Sequence, residues 1–388
     1  MRTDIVVIGS GPIGASVAWH LSVRGCTSVL VLERAAALGA GSAGRATGGF
    51  RSQFATEINV RLSLLARRSL QRFQDDVGVD PGFQQAGYLF LARDAAQLQS
   101  LRDGLELQHR CGLAEARDVG PEDAAALNPY FRVDGVVGGA FCPSDGFVRP
   151  LALVQGWMDD ALRRGVRLVL DCGPLTWETE AHAGTRRVRG VRFGSERVAT
   201  RRVVVAAGAW SGLLSAHGVD IPVRPERRQI AVTEPFDGLP GDMPMTIDCS
   251  DGFHLRVRDG RVLLLRPDTT RSAESFDTAF DAAWLDGLVA VARARVPCLE
   301  RARIDPDACR CGLYEMTADK HALLGPVPEV DGLLLATGNS GHGIMHSPAI
   351  GRLVAEMILD GEAQSLDARA LRPSRFADGE PNPSNGVL

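Results

Sequence analysis

The chain has 388 residues, 45% of them hydrophobic, enough to bury the cores of more than one domain. Its formal net charge of −4 leaves no basic surplus, which argues against nucleic acid or an anionic membrane as partner. No apolar run reaches the ~18 residues of a membrane span. The eight cysteines lack metal-ligand or redox spacing, with Cys309 and Cys311 the only close pair, so free thiols and no metal are expected.

In chain order, Met1-Arg2-Thr3-Asp4 enters at once an apolar strand over residues 4–8. A cleaved leader would remove the loop that follows, so a cytoplasmic protein is expected. That loop is Gly9-Ser10-Gly11-Pro12-Ile13-Gly14, and a helix over 12–24 follows it. Pro12 suits the first helical turn, where a missing N–H is harmless. A second strand over 28–32 ends at Glu33, 19 residues after Gly14, the position of an acid that holds a ribose hydroxyl. Strand, loop, helix and acid together predict dinucleotide binding at the opening of a doubly wound α/β domain. The stretch from Gly39 to Gly49 is dense in small residues (Gly41, Ser42, Ala43, Gly44, Ala46, Thr47, Gly48), which lets backbone run close beside an extended ligand.

An amphipathic helix is predicted over 57–77, a strand over 87–92 and a helix over 95–111, before a turn-rich stretch through Cys142-Pro143-Ser144-Asp145-Gly146. A helix over 151–164 and a strand over 166–170 precede the apolar strand 202–207, which ends in the turn Ala207-Gly208-Ala209-Trp210. Strands at 227–233, 253–257 and 261–266 with Asp-Gly turns belong to a second, mostly antiparallel domain. A helix over 282–296 follows. The α/β pattern then returns with a strand over 333–336 and a closing helix over 344–359. Between them lies a second glycine-rich loop, Gly338-Asn339-Ser340-Gly341-His342-Gly343. Two such loops from distant parts of one chain fit a cofactor held at both ends, flavin before nicotinamide.

The expected fold is α/β: a discontinuous Rossmann-like FAD-binding domain (1–85, 145–222 and 305–372) with an inserted α+β substrate domain (86–144 and 223–304) whose sheet is mostly antiparallel. The tail, 373–388, is rich in Pro, Ser, Asn and Gly and is expected to be mobile.

Several ordered blocks carry a resemblance: Ala46-Thr47-Gly48-Gly49-Phe50-Arg51-Ser52-Gln53-Phe54, Gly312-Leu313-Tyr314-Glu315-Met316-Thr317, and Ser340-Gly341-His342-Gly343-Ile344-Met345-His346-Ser347-Pro348. Over essentially its whole length the chain resembles the FAD-dependent amino-acid oxidoreductases that include D-amino acid oxidase, glycine oxidase and sarcosine oxidase. These blocks look most like the sarcosine oxidase β-subunit, dimethylglycine dehydrogenase and L-proline dehydrogenase branch. The resemblance implies that Gly341, Gly343, Ile344 and Met345 present backbone N–H groups to the flavin pyrimidine edge. It adds Arg34, Ser42, Arg45, Leu175, Gly312, Gly338 and His342 to the cofactor contacts. Arg51 becomes the candidate for the substrate carboxylate, with Arg45 the alternative if gaps shift the match. Tyr314, His342 and His254, with His346 and Glu315, are candidates for the substrate face.

Three departures from the family pattern matter. The cysteine that carries FAD covalently in some sarcosine oxidases falls on Gly312, with Cys311 one residue off, so noncovalent FAD is expected. The family's carboxylate lysine falls on Met345, and 261–266 carries no lysine to promote reaction with oxygen, which favours a dehydrogenase with another acceptor. Gly338-Asn339 stands where hydroxylase relatives have Gly-Asp, which argues against a hydroxylase. The expected function is oxidation of a small secondary or N-methylated amino acid to an imine by hydride transfer to flavin. The alternatives are a peroxide-forming oxidase of a primary or modified amino acid, a flavoprotein subunit that passes electrons to a partner, and an NAD(P)-linked enzyme or nucleotide sensor.

Overall fold

The computed structural model describes residues 1–268 and 275–384. Its central sheet has six strands in the order Leu323–Pro326, Leu333–Thr337, Arg202–Val205, Ile5–Ile8, Val29–Leu32 and Arg167–Val169. All neighbours are parallel except Leu323–Pro326, which runs antiparallel to Leu333–Thr337. The strands are apolar on both faces because both faces are covered. Ile5, Val7, Val29, Val31 and Val204 pack under the helices Pro12–Val23, Glu57–Gln71, Pro150–Arg163 and Gly343–Leu359. Val6, Ile8, Leu30, Leu32 and Val205 face a small sheet through Trp177, Val188 and Val191.

That small sheet, built from Leu175–His182, Thr185–Phe193 and Glu196–Ala199, is absent from the sequence reading. The register shifts between Val188 and Gly190. A bulge changes the phase of the in–out alternation, so the pattern of Val188, Val191 and Phe193 does not read as one strand.

The second sheet has eight strands, from Arg310–Met316 through Arg224–Val232, Arg261–Leu265, His254–Arg258, Met245–Asp248, Tyr88–Ala92 and Gly138–Cys142 to Arg117–Val119. It is antiparallel except where Met245–Asp248 pairs with Tyr88–Ala92 in parallel. Arg310–Met316 pairs along its length with Arg224–Ile230 at this sheet's edge. One face of the sheet packs Leu89, Leu91, Leu255, Val257 and Leu264 against Trp284 and Leu288 of the helix Ala282–Arg295. The other face presents Tyr88, Phe90, Met245, Ile247 and His254, the alternate residues of the same strands.

One further difference has a local cause. The predicted helix 57–77 breaks at Arg72 (φ −104°, ψ 2°) into Glu57–Gln71 and Phe73–Val77, where Phe73 turns in to meet Trp157 edge-on at 5.2 Å. Residues 373–384 pack against the body of the chain. Arg375 is fully buried and grips Asp319 with two bonds (Nε–Oδ2 2.7 Å, Nη2–Oδ1 2.8 Å), and Asn382 N donates to the same carboxylate. Residues 385–388 lie outside the described chain.

Candidate active site

The first glycine loop has the crowding its function requires. Gly9 sits at φ +102°, and a Cβ on Gly14 would lie 1.9 Å from the Gly9 carbonyl oxygen. A side chain at either position would push helix and strand apart, whereas a Cβ on Gly11 would meet nothing within 4 Å. Gly11 therefore opens onto a cradle at the helix N-terminus, where Pro12 and Ile13 begin the first turn. Ala206 N donates to Ile8 O (2.8 Å), so the Ala207-Gly208 turn lies beside this loop. Glu33 accepts from Ser10 N (2.9 Å), Ser10 Oγ (2.8 Å) and Ala35 N (2.8 Å). A carboxylate offers about four lone-pair sites, which leaves capacity for a ribose hydroxyl.

Arg34 lies 4.5 Å over the Trp210 ring. Cys172 N donates to Glu33 O, which brings the segment leading to Leu175 to this end of the site. The small-residue stretch is ordered by what it docks on. Ser42 Oγ donates to Leu313 O and Arg45 Nη1 to Cys311 O, both 2.7 Å, while Arg310 Nε returns a bond to Arg45 O. Ser42 and Arg45 thus direct their side chains to the strand that bears Gly312. Arg256 Nη1 holds Thr47 O at 2.6 Å, and Arg258 Nη1 holds Ala46 O. Gly48 accepts from Val148 N, and Gly49 has no room for a Cβ beside the Tyr88 hydroxyl.

The second loop comes within reach of Arg51. Gly338 (φ +74°), Ser340 (φ 48°) and Gly341 (φ +89°) turn the chain sharply before the helix Gly343–Leu359. A Cβ on Gly341 would lie 2.5 Å from Tyr314 Cε2, so Tyr314 packs directly on the loop. Pro348 withholds an N–H inside the helix, and Ser347 Oγ bonds the Ile344 carbonyl at 2.8 Å. Ile344 and Met345 occupy the first turn.

Arg51 is 6% exposed; Nη1 donates to Gln53 O (2.8 Å), Nη2 lies 3.4 Å from His342 Nε2, and the guanidinium stands 4.1 Å from the Phe54 ring centre and 5.7 Å from that of Phe90. Burial and then the Arg51 charge push the His342 pKa well below its ordinary value, so the ring is neutral. His254 is lowered to about 4, chiefly by burial. Its Nδ1 lies 2.8 Å from Gly252 O, which makes Nδ1–H the donor and leaves Nε2 as an acceptor. Arg228 stands 5.1 Å over the Tyr314 ring.

Arg51, His342, Tyr314 and His254 therefore gather around one region. Two other candidates border this region and direct their polar atoms elsewhere, the His346 ring lying 5.7 Å from that of His342 and 5.3 Å from that of Phe54. His346 pairs its Nε2 with Ser63 Oγ (2.9 Å) in the core, and Glu315 points into the loop 337–339. Sequence reasoning missed Asp145, fully buried, which accepts from Ser52 N (2.6 Å) and Gln53 Nε2 (3.1 Å) beside Arg51. Burial raises its pKa to about 6 against these bonds. It also missed Tyr88 and Phe90, whose alternation in Tyr88–Ala92 was the available signal. Among the described residues no cluster is placed to hold a metal, all eight cysteines are unpaired, and no helix is long and apolar enough to cross a membrane.

The crowded first loop, the open Gly11 cradle with its acid and the second loop at the sheet interface define an oxidoreductase built around a dinucleotide cofactor. The chain belongs to the FAD dependent oxidoreductase (DAO) family, whose model matches residues 4–357, and its cofactor is FAD. It is 28% identical to the FAD-dependent oxidoreductase domain-containing protein 1 of Xenopus laevis, over 98% of this chain and 84% of that protein. It is 26% identical to the mitochondrial sarcosine dehydrogenase of Homo sapiens, over 93% of this chain and 40% of that larger protein. The crystal structure of L-proline dehydrogenase from P. horikoshii superposes with a TM-score of 0.88 at 27% identity, covering 98% of this chain and 99% of that one.

Proposed function

We propose that the enzyme oxidises a small secondary or N-methylated amino acid, of the sarcosine, dimethylglycine or proline type, to the imine. The observation that carries this reading is the buried Arg51 guanidinium, held between aromatic rings and a neutral histidine. A guanidinium at that site matches a carboxylate in charge and geometry. The residues that would hold FAD are Gly9 to Gly14 and Glu33 at the dinucleotide end, Ala46 to Gly49 and Gly208 along its length, and Gly338 with Gly341 to Met345 at the far end. FAD, when bound, supplies the hydride acceptor.

Arg51 anchors the carboxylate and so fixes which carbon faces the cofactor. Phe54, Phe90 and Tyr314 keep water from the reacting carbon. His254, with its pKa near 4, accepts a hydrogen bond at neutral pH but is a poor base, so the amine must arrive unprotonated. Cys311 and Tyr314, three apart in one strand, face opposite ways, which supports noncovalent FAD. The chain's one lysine, Lys320, sits in the turn after Arg310–Met316 and the strand Arg261–Leu265 has none, which favours an acceptor other than oxygen, including a partner subunit.

The test is the anaerobic visible spectrum of the purified holoenzyme with sarcosine, dimethylglycine, L-proline and a panel of D-amino acids. Bleaching by a secondary amine is the expected result. Bleaching only by primary amino acids would replace this substrate class with the alternative one.

A further inference from the structure

Glu315 follows Tyr314 in the strand Arg310–Met316 and so points to the opposite side, beneath the second glycine loop. One carboxylate oxygen accepts from Thr337 Oγ1 (2.8 Å) and Gly338 N (2.9 Å), and the other from Asn339 Nδ2 (2.9 Å). Its own carbonyl accepts from Ser340 N (3.0 Å). A Cβ on Gly343, the first residue of the 17-residue closing helix, would lie 3.3 Å from Glu315 Oε1. Donors at both oxygens are the pattern of an ionised carboxylate, and it abuts the positive end of a long helix. Burial raises its pKa above the ordinary carboxylate value, and the Asn339, Thr337 and Gly338 donors offset only part of that rise.

We propose that Glu315 is a positioning residue whose charge offsets the helix N-terminus and holds the reduction potential of the bound flavin below the value the helix end alone would set. The inference rests on the placement of flavin against the Gly341 to Met345 turn. Reduction adds negative charge to the flavin. Helix amides favour that charge and a nearby carboxylate opposes it, in a site where water screens neither well. The same bonds shape the loop, so one side chain both builds the turn and limits its field.

Glu315→Gln separates the two roles. Asn339 Oδ1 is buried without a hydrogen-bond partner, so rotation of the Asn339 amide lets it accept from the new Gln Nε2 while the other bonds persist. The measurement is the ratio of reduced to oxidised flavin in the holoenzyme, poised against a reference dye with xanthine and xanthine oxidase. No amine substrate is present, so the result stands whatever the substrate is. The expected rise in E315Q is about tenfold, equivalent to about 30 mV for a two-electron couple. Glu315→Asp, which keeps the charge, should stay nearer the wild-type ratio.

A ratio within about twofold of wild type in flavin-bound E315Q would overturn the proposal. So would loss of flavin from both variants while they stay folded, which would leave Glu315 a purely structural role. Gly341→Ala tests the placement on its own, because its methyl would press on Tyr314. Full flavin retention with an unchanged spectrum in that variant would remove the placement, and the proposal with it.

Discussion

Arg51 Nη2 and His342 Nε2 lie 3.4 Å apart although 291 residues separate them in the chain. One stands just after the small-residue stretch; the other caps the closing helix. Their proximity joins the charge proposed to bind substrate to the turn against which the flavin is proposed to lie. It also explains why His342 stays neutral: a second cation beside Arg51 in a buried site would be strongly unfavourable.

Replacing Arg51 with Met should keep flavin bound while KM for a carboxylate substrate rises by roughly 30-fold or more, the effect of losing about 2 kcal/mol of charge-assisted hydrogen bonding. Steady-state kinetics and the 450 nm absorbance check the two halves separately. Unchanged KM would take Arg51 out of the site.

Gly14→Ala should empty the cofactor site. Its methyl would sit 1.9 Å from the Gly9 carbonyl oxygen, and both partners are backbone that cannot step aside without moving strand or helix. The flavin-to-protein absorbance ratio should fall to a small fraction of wild type. Stoichiometric flavin in this variant would mean that the loop does not hold the cofactor.

Asp145 predicts a pH dependence of known sign. Its pKa is raised to about 6, so its contribution to stability is complete below the unfolded value of 3.8 and is lost as pH rises through 6. The difference amounts to roughly 3 kcal/mol. Thermal midpoints of wild type and Asp145→Asn, compared at pH 4.5 and 7.5, should shift relative to one another in favour of Asn at the higher pH. Parallel profiles would contradict the assignment.

Three histidines act in the opposite sense. His20 and His254 are lowered to about 4 and His346 to about 3, each mainly by burial. Their contribution is complete above the unfolded value near 6.5 and is lost as pH falls toward the folded values, about 2.5 kcal/mol each by pH 4.5. The urea midpoint should therefore drop steeply between pH 6.5 and 4.5. His346→Gln, which can keep the bond to Ser63, should flatten that slope.

Arg375→Ala should cost about 3–5 kcal/mol, because it strands the Asp319 carboxylate beneath the tail. Arg375→Lys should recover only part, since an ammonium cannot make the two parallel bonds. A urea midpoint equal to wild type would show that the tail is dispensable.

Composition does not reveal that contact, and the reason is general. Pro, Ser, Asn and Gly report a low local tendency to order, while the anchor is one arginine whose partner lies 56 residues upstream. The small sheet over 175–199 was hidden by a bulge that breaks alternation, and the parallel strand Met245–Asp248 by its shortness. Asp145 read as part of a turn, since nothing local marks a carboxylate that will be buried under Arg51.

Local patterning alone carries the two glycine loops, the acid at Glu33, the layered α/β class and the resemblance that singled out Arg51. These are local matters, set by which residues can adopt a positive φ, admit a close backbone or alternate along a strand. Only the tertiary structure decided which side chains meet: Arg51 with His342, Asp145 under Ser52 and Gln53, Glu315 against the closing helix, and Arg310–Met316 at the edge of the second sheet. Such pairings join residues tens to hundreds of positions apart. They depend on desolvation and packing once the two sheets come together, and no window of the chain contains both partners.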